Sequence, residues 1–250
     1  MLFRSDGTLW MWGAGGSGQL GNSQTTDFSS PVQTIAGGTT WKQVSCSDTH
    51  SAAIKTDGTL WTWGTNSYGQ LGDGWYYPVA VAPMKQVSGT WSTSAFANTT
   101  FSLSYVTNYY ASSFIKSDGT LWTCGYNNAG QLGDNTTTHR SSPVQTAAGG
   151  NTWKQVSLSD FHGAAVKTDG TLWTWGSNDF GQLGSSTLTG RSSPAQTISG
   201  GTTWYQVSCG KSVTAAIKTD GTLWTWGYNN YGQLGDNTIT DRSVPVQTIS

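Results

Sequence analysis

The sequence predicts an all-β protein, a β-propeller of four-stranded antiparallel blades. Asp-Gly turns at Asp6, Asp57, Asp118, Asp169 and Asp220 recur at intervals of 51, 61, 51 and 51 residues. A period near fifty residues with several strands per unit is typical of propeller blades, which bury their faces only by stacking on neighbours. The stretch GTLWTWG recurs unchanged in three units, and helical periodicity is hard to find.

The composition fits short strands joined by tight turns. The chain has 250 residues, 35% of them hydrophobic and 12% aromatic, with 14 Trp and 33 Gly. Charged residues make up 10% and the net charge is -1, so nucleic acid and membrane surfaces are not expected partners. No apolar run of about 18 residues occurs, and the start MLFRSDG lacks the apolar core of a secretory signal.

Each element of the blade follows from a local pattern. WKQVS at 41–45 and HSAAIK at 50–55 are short alternating segments, the first two strands. Asp57-Gly58 between apolar runs is a hairpin signal, because Gly accepts a positive φ at little cost. LWTWG then forms the third strand. SPVQT at 30–34 forms the fourth, and its Pro favours an outer edge position.

This strand order divides the single domain 1–250 into blades. Complete blades are expected at about 41–83, 84–148, 153–199 and 204–250, after an incomplete blade at about 1–40. The first blade lacks a WKQVS strand, and no later segment supplies it. Three explanations remain open: a fragment of a longer propeller, an open arc completed by another subunit, or a five-bladed ring with one thin blade.

The repeated motifs resemble those of the regulator of chromosome condensation repeat family. Its blades carry G-x-L-W-x-W-G and then N-x-x-G-Q-L-G, and the match covers essentially the whole chain. The resemblance implies a propeller, typically of seven blades. The founding member of that family is a guanine-nucleotide exchange factor for a small GTPase that also docks on nucleosomes, but a basic chromatin tail has no counterpart here. The G-Q-L-G turns begin at Gly18, Gly69, Gly130, Gly181 and Gly232.

Residues with reactive side chains have structural explanations in the repeat. Cys46 and Cys209 take the position of Leu158, and Cys124 replaces a Trp, so all three are expected to be small buried hydrophobic residues. His50 and His162 follow Asp48 and Asp160 by two residues, but the fifth unit lacks the pair. We therefore expect a structural hydrogen bond for each His, and no catalytic residue is predicted.

Two further patterns resemble ligand sites without the required context. GAGGSG at 13–18 contains G-x-G-x-x-G, but it leads into G-Q-L-G rather than a helix, which predicts a turn. The repeated Asp of the Asp-Gly turns and Asn of W-G-x-N could be metal ligands. Their repetition in successive blades favours turn-stabilising groups, so no metal and no cofactor is predicted.

The third unit departs from the repeat and is the expected partner-binding element. If Met84 begins this blade, the polar loop after Gly72 is 8 residues shorter than in other units and the connection to Asp118 is 18 longer. The altered segment is rich in aromatic residues among Ser, Thr and Asn, a composition typical of contact surfaces. Packing onto their own blade is the alternative role. The candidates are Trp75, Tyr76, Tyr77, Trp91, Phe96, Phe101, Tyr105, Tyr109 and Tyr110.

These observations favour a non-enzymatic β-propeller scaffold for protein–protein contact. We expect a structural component of a larger assembly, such as a cell surface, a fibre or a virion, which places the chain outside the cell or on a virion rather than in the nucleus. Its expected partner is another protein or a neighbouring subunit. A guanine-nucleotide exchange factor and a glycan-binding, adhesin-like module are the alternatives.

Overall fold

A computed structural model describes residues 2–3, 6–85 and 111–249 of the chain. Within these ranges the regular structure is entirely β-strand, arranged in five antiparallel sheets. The all-β prediction is therefore confirmed, and the sheets are propeller blades. Within each sheet the strands pair in chain order, and the Asp-Gly turns form the hairpins between second and third strands.

Eighteen strands make up the described sheets. The first sheet contains β1 (Leu2–Phe3), β2 (Leu9–Gly13) and β3 (Phe28–Gln33). The second contains β4 (Trp41–Cys46), β5 (His50–Lys55), β6 (Leu60–Asn66) and β7 (Tyr77–Lys85). The third contains β8 (Ala111–Ile115), β9 (Leu121–Gly125) and β10 (Arg140–Gln145). The fourth contains β11 (Trp153–Leu158), β12 (His162–Lys167), β13 (Leu172–Gly176) and β14 (Arg191–Gln196). The fifth contains β15 (Trp204–Cys209), β16 (Val213–Lys218), β17 (Leu223–Gly227) and β18 (Arg242–Gln247).

The hydrophobic core lies between the blades. Buried side chains of one sheet pack against those of the next, so Leu60 of the second blade, Phe114 of the third and Trp175 of the fourth belong to one cluster. Leu172 of the fourth blade and Trp226 of the fifth belong to another. This arrangement explains why both faces of the third strands are apolar: each lies between neighbouring sheets.

The Asp-Gly turns also join neighbouring blades. Gly170 has φ +78, and a Cβ there would lie 2.0 Å from the carbonyl oxygen of Thr202 in the next blade. The Gly170 carbonyl accepts the N–H of Trp204 at 3.0 Å. Gly is therefore needed at this turn for its left-handed backbone and for the close approach of the next blade.

The boundary between the second and third blades differs from the prediction. Met84 and Lys85 do not begin the third blade, because they pair with Thr62 and Trp61 and so extend β7. Pro83 then corresponds to the Pro of SPVQT. Pro83 follows Gly72 by 11 positions, and Pro31 follows Gly21 by 10 in the first blade. The polar loop of the second blade is therefore not shortened. Most of the extra length lies between Pro83 and Asp118.

The far side of the fifth blade is uncovered. Leu223 is 39% exposed, whereas its counterparts Leu60, Leu121 and Leu172 are 1%, 0% and 0% exposed. Gln233 is exposed as well, although the same Gln is buried in the four earlier G-Q-L-G turns. A closed five-bladed ring would cover these side chains, so the chain forms an open arc of blades.

Candidate functional site

One face of the arc carries the loops that join the third and fourth strands. We call it the loop face and define it by residues 14–27, 65–76, 126–139, 177–190 and 228–241, together with the neighbouring turns at 47–49, 159–161 and 210–212. The opposite face carries the Asp-Gly turns. All blades have the same orientation, so equivalent residues of successive blades lie side by side on each face.

A buried Asn organises each long loop from the second blade to the fifth. Asn178 Oδ1 accepts the N–H of Leu183 at 2.8 Å, and its Nδ2 donates to the carbonyl oxygens of Thr187 at 2.8 Å and Thr189 at 3.2 Å. Asn66, Asn127 and Asn229 bond their own loops in the same manner. The prediction that this Asn stabilises a turn is confirmed.

The Asp of each Asp-Gly turn also bonds its own turn. Asp169 Oδ1 accepts the N–H and the hydroxyl of Thr171 at 2.9 and 2.7 Å, and Thr171 Oγ1 accepts the indole N–H of Trp173. The hydrogen bond from Thr171 holds the pKa of Asp169 below its usual value. These bonds confirm the turn role. Within the described ranges, no group of three His, Cys, Asp or Glu residues is placed to hold a metal ion.

The Gln of each of the first four G-Q-L-G turns connects its blade to the next. Its backbone carbonyl accepts the indole N–H of a Trp in the following third strand, as Gln131 does from Trp175 at 2.7 Å and Gln182 from Trp226 at 2.8 Å. In the third blade a Cys replaces this Trp, and the Cys124 thiol donates to the Gln70 carbonyl at 3.4 Å. The repeated Trp of LWTWG and the repeated Gln of G-Q-L-G therefore bond successive blades to each other.

The cysteines have the structural character expected of them. Cys124 and Cys209 are buried, and Cys46 is half-buried. Burial raises the pKa of Cys124, and it raises the pKa of Cys209 to about 12. No two of these three cysteines form a disulfide. Burial therefore disfavours the thiolate form that a nucleophile requires.

The two buried histidines form hydrogen bonds across blade boundaries. His50 Nε2 lies 3.0 Å from Ser112 Oγ, and the Ser112 hydroxyl donates to the Gln70 carbonyl at 2.8 Å. Nε2 is therefore the protonated nitrogen, and Nδ1 accepts from Ser47 Oγ at 2.8 Å. The backbone carbonyl of the adjacent Asp48 accepts the side-chain amide N–H of Gln19 at 2.8 Å.

His162 forms the equivalent hydrogen bonds at the boundary between the fourth and fifth blades. Its Nδ1 bonds Ser159 Oγ at 2.8 Å and its Nε2 bonds Thr214 Oγ1 at 2.8 Å. Burial lowers the pKa of His50 to about 4 and that of His162 to about 3. Each histidine forms the structural hydrogen bond predicted for it, and the partners are Ser and Thr hydroxyls rather than the adjacent Asp side chains.

The G-x-G-x-x-G pattern forms the turn predicted for it. The N–H of Gly18 donates to the Gly15 carbonyl at 2.8 Å, and the N–H of Gly15 donates to Asp27 Oδ1 at 2.9 Å. The residues that follow belong to the G-Q-L-G turn rather than to a helix. The glycines therefore serve a loop in which Gly15 takes the position of the organising Asn.

Three of the predicted contact residues lie in the described part of the chain. Trp75 and Tyr76 are 72% and 55% exposed on the loop face. Tyr77 is half-buried and donates its hydroxyl to Asp73 Oδ2 at 2.6 Å, so it has a structural role. Its burial, together with this bond, raises its pKa. The remaining six lie outside the described residues: Trp91, Phe96, Phe101, Tyr105, Tyr109 and Tyr110.

The loop face has an aromatic group that our sequence analysis missed. Tyr68 of the second blade lies against Tyr126 of the third, with ring centroids 5.0 Å apart and planes at 78°. His139 stacks on Tyr126 at 4.7 Å and 27°. The hydroxyl of Tyr76 lies 3.4 Å from the His139 carbonyl oxygen, which links the predicted aromatic residues to this group.

An equivalent group joins the fourth and fifth blades. Phe180 and Tyr228 take the positions of Tyr68 and Tyr126, with centroids 4.9 Å apart and planes at 72°. Tyr231 lies 6.2 Å from Tyr228 at 66° and is 86% exposed. The sequence contains a signal for both aromatic groups. In each, one aromatic residue directly precedes G-Q-L-G, and another follows the Gly that ends the third strand of the next unit. Between the third and fourth blades these positions hold Ala129 and Ser177.

The two faces carry opposite excess charge. Among the described residues, the loop face has eight Asp and one Lys, and three Arg begin the adjoining fourth strands, whereas the opposite face has five Asp and seven Lys. Asp134 and Asp236 form ion pairs with Arg140 and Arg242, each at 2.7 Å. The loop-face acids are Asp27, Asp48, Asp73, Asp134, Asp160, Asp179, Asp236 and Asp241. Its Lys is Lys211, and the three Arg that adjoin it are Arg140, Arg191 and Arg242.

Comparison with known proteins agrees with this architecture. A family model described as an RCC1-like domain matches residues 1–249. The ultraviolet-B receptor UVR8 of Arabidopsis thaliana is 30% identical over 242 residues, which are 96% of this chain and 53% of the receptor. The probable E3 ubiquitin-protein ligase HERC6 of Homo sapiens is 32% identical over 239 residues, 91% of this chain and 22% of that protein.

Among solved structures, that of Prp20p from Saccharomyces cerevisiae superposes with a TM-score of 0.79 at 17% identity. The match covers 98% of this chain and 60% of that chain, and Prp20p is described with its binding to Gsp1p and histones. This chain therefore spans about half the length of UVR8 and three fifths of Prp20p. No helix among the described residues is long and apolar enough to span a membrane.

Proposed function

Because the chain belongs to the family of RCC1-like domains, we propose that it is a non-enzymatic β-propeller that binds a protein partner through its loop face. The observation that carries this proposal is the exposure of aromatic residues there: Trp75 is 72%, Tyr76 55% and Tyr231 86% exposed. Trp and Tyr are enriched at protein interfaces, because a rigid ring buries a large area at a small entropic cost. Prp20p, which has the same fold, binds Gsp1p and histones.

The proposal that the chain is not an enzyme rests on the structural roles of its reactive side chains. His50 and His162 are buried and held by Ser and Thr hydroxyls. Burial raises the pKa of Cys124 and Cys209, which disfavours a thiolate nucleophile. Each of these groups stabilises a blade or a blade boundary, so the repeat accounts for it without a reaction.

Affinity capture with paired variants tests the proposal. The tagged chain is incubated with an extract of the organism that produces it, and bound proteins are quantified by mass spectrometry. Trp75→Ala with Tyr76→Ala should abolish capture of the specific partner. The matched control is Tyr205→Lys, which removes a 54% exposed aromatic side chain and restores the Lys found at 42 and 154. Equal capture by all three proteins would contradict binding through the loop face.

A structural role within a larger assembly is the second candidate, and the uncovered fifth blade favours it. Leu223 and Gln233 lie where earlier blades are covered by a neighbour. A second copy that covers this side would join the arcs into a surface, a fibre or a virion component. Light scattering coupled to size exclusion tests this role: a defined oligomer supports it, and a monomer at high concentration contradicts it.

A further inference from the structure

We propose that the loop face binds a lysine or arginine side chain of its protein partner in the corner between the fourth and fifth blades. This aromatic corner consists of Phe180, Tyr228 and Tyr231, flanked by Asp179 and Asp241. The inference rests on the proposed function and deepens it, because it names the chemistry of the partner. Neighbouring rings and carboxylates together form a recognition surface for a cation.

The chain already holds its own lysines between pairs of rings. Lys167 Nζ lies 4.6 Å from the centroid of the Trp153 ring and 4.1 Å from that of Trp173. The two rings are 6.0 Å apart and their planes meet at 76°. Lys218 lies in the same way between Trp204 and Trp224, whose rings are 6.2 Å apart at 79°. In this fold, two nearly perpendicular rings with centroids 6.0 to 6.2 Å apart therefore accommodate an ammonium group.

The aromatic corner has a similar ring geometry and presents it to solvent. Tyr228 and Tyr231 are 6.2 Å apart with planes at 66°, and Phe180 packs on Tyr228 at 72°. Tyr231 is 86% and Phe180 36% exposed. Across the described ranges, no lysine or arginine of the chain itself lies over these three rings. The ring pair is thus accessible to a cation from another molecule.

Two carboxylates give the corner its charge selectivity. Asp241 Oδ1 accepts the N–H of Asn229 at 2.7 Å, which fixes the exposed carboxylate at the backbone of the residue that follows Tyr228. Asp179 directly precedes Phe180, is exposed and accepts the Ser177 hydroxyl at 2.9 Å. Among the described residues neither carboxylate forms an ion pair. A cation in the corner therefore gains Coulomb attraction as well as the attraction of the rings.

The equivalent corner between the second and third blades provides an internal comparison. There His139 replaces Asp241 and Ser67 replaces Asp179. His139 Nδ1 accepts the N–H of Asn127 at 3.0 Å, just as Asp241 accepts that of Asn229, and its ring covers Tyr126. This corner has aromatic rings without a carboxylate at either position. Selectivity for cations should therefore be confined to the corner at Phe180.

Nuclear magnetic resonance titration of the full chain with short peptides tests the assignment. The probes are acetyl-Gly-Ser-Lys-Ser-Gly-amide and the same peptide with norleucine in place of lysine, which keeps the chain length without the charge. The lysine peptide should shift the resonances of Phe180, Tyr228 and Tyr231, with an affinity about ten-fold above that of the norleucine peptide. Equal affinities would overturn the proposal.

Variants that copy other blades localise the binding. Phe180→Ala with Tyr228→Ser reproduces the corner of Ala129 and Ser177, so the fold has a precedent for it, and it should abolish the lysine-dependent shifts. Asp241→Asn retains an acceptor for the Asn229 N–H and should weaken lysine binding several-fold. The control, Tyr68→Ala with Tyr126→Ser, should leave it unchanged. Unaltered binding by the Phe180 and Asp241 variants would overturn the proposal.

Two further results separate the possible failures. Tetramethylammonium chloride that binds the corner when neither peptide does would overturn the assignment to a protein side chain. If the lysine peptide fails to bind but the Trp75 and Tyr76 variants still lose their captured protein, the cation inference fails and the proposed function remains. If both fail, the loop face is not the contact surface.

Discussion

His50 and His162 couple the stability of the blades to pH. In the folded chain burial lowers their pKa values to about 4 and about 3, whereas an unfolded His titrates near 6.5. As pH falls below about 6.5, the unfolded state takes up protons that the folded state does not, so stability decreases until the folded pKa is reached.

We expect the free energy of unfolding to fall by about 2 kcal/mol for each histidine between pH 7 and pH 5. Urea denaturation followed by Trp fluorescence at the two pH values measures this change. His50→Val with His162→Val provides the control, because the fifth blade has Val213 at this position. The double variant should lose most of the pH dependence; an unchanged dependence would assign it to other groups.

At the scale of the single element, the loop is stabilised from within by its Asn. Asn229 accepts the buried N–H of Leu234 at 2.9 Å and donates to the carbonyls of Thr238 and Thr240 at 3.0 and 3.1 Å. Asn229→Ala leaves these groups without their partner, so we expect a loss of about 2–3 kcal/mol in chemical denaturation. The neighbouring Asn230 is exposed, and Asn230→Ala should cost less than about 0.5 kcal/mol. Similar losses for the two variants would contradict this role.

The strands and turns were predictable from the sequence because each has a local cause. Asp-Gly turns, alternating LWTWG segments and the Pro of the fourth strand depend on residues close in the chain. The start of the third blade depends on distant pairing. MKQVS at 84–88 resembles WKQVS at 41–45, yet Met84 pairs with Thr62 and completes β7. The position of Pro83 relative to the preceding G-Q-L-G was the informative signal.

The candidate site was less predictable because it forms between blades. Trp75 and Tyr76 were identified from the local composition, and both lie exposed on the loop face. Tyr68 contacts Tyr126, 58 positions later, and Phe180 contacts Tyr228, 48 later. These pairs become apparent only when the repeats are aligned side by side as blades. The segregation of Lys and Asp between the two faces likewise follows from strand direction and not from sequence spacing.

At the scale of the whole molecule, equivalent residues differ in environment with their position in the arc. Leu172 is 0% exposed between two blades, and Leu223 is 39% exposed on the last one. Leu172→Ala should cost about 2–5 kcal/mol through the cavity it leaves, and Leu223→Ala less than about 1 kcal/mol. Thermal unfolding of the two variants measures the difference. A large loss at Leu223 would show that another molecule covers this side in solution.

The tryptophan indole bonds between blades all point in one direction along the chain. Gln131 lies before its donor Trp175, and Gln182 lies before Trp226, so the acceptor of each indole belongs to the earlier blade. A blade leaving the ribosome therefore meets an acceptor that has already been synthesised, and each new unit can dock without waiting for the next. The architecture is suited to vectorial folding during translation. Loss of the earliest blade would leave the Trp63 indole without its Gln19 acceptor, whereas loss of the last would leave the indole bonds of the remaining blades intact.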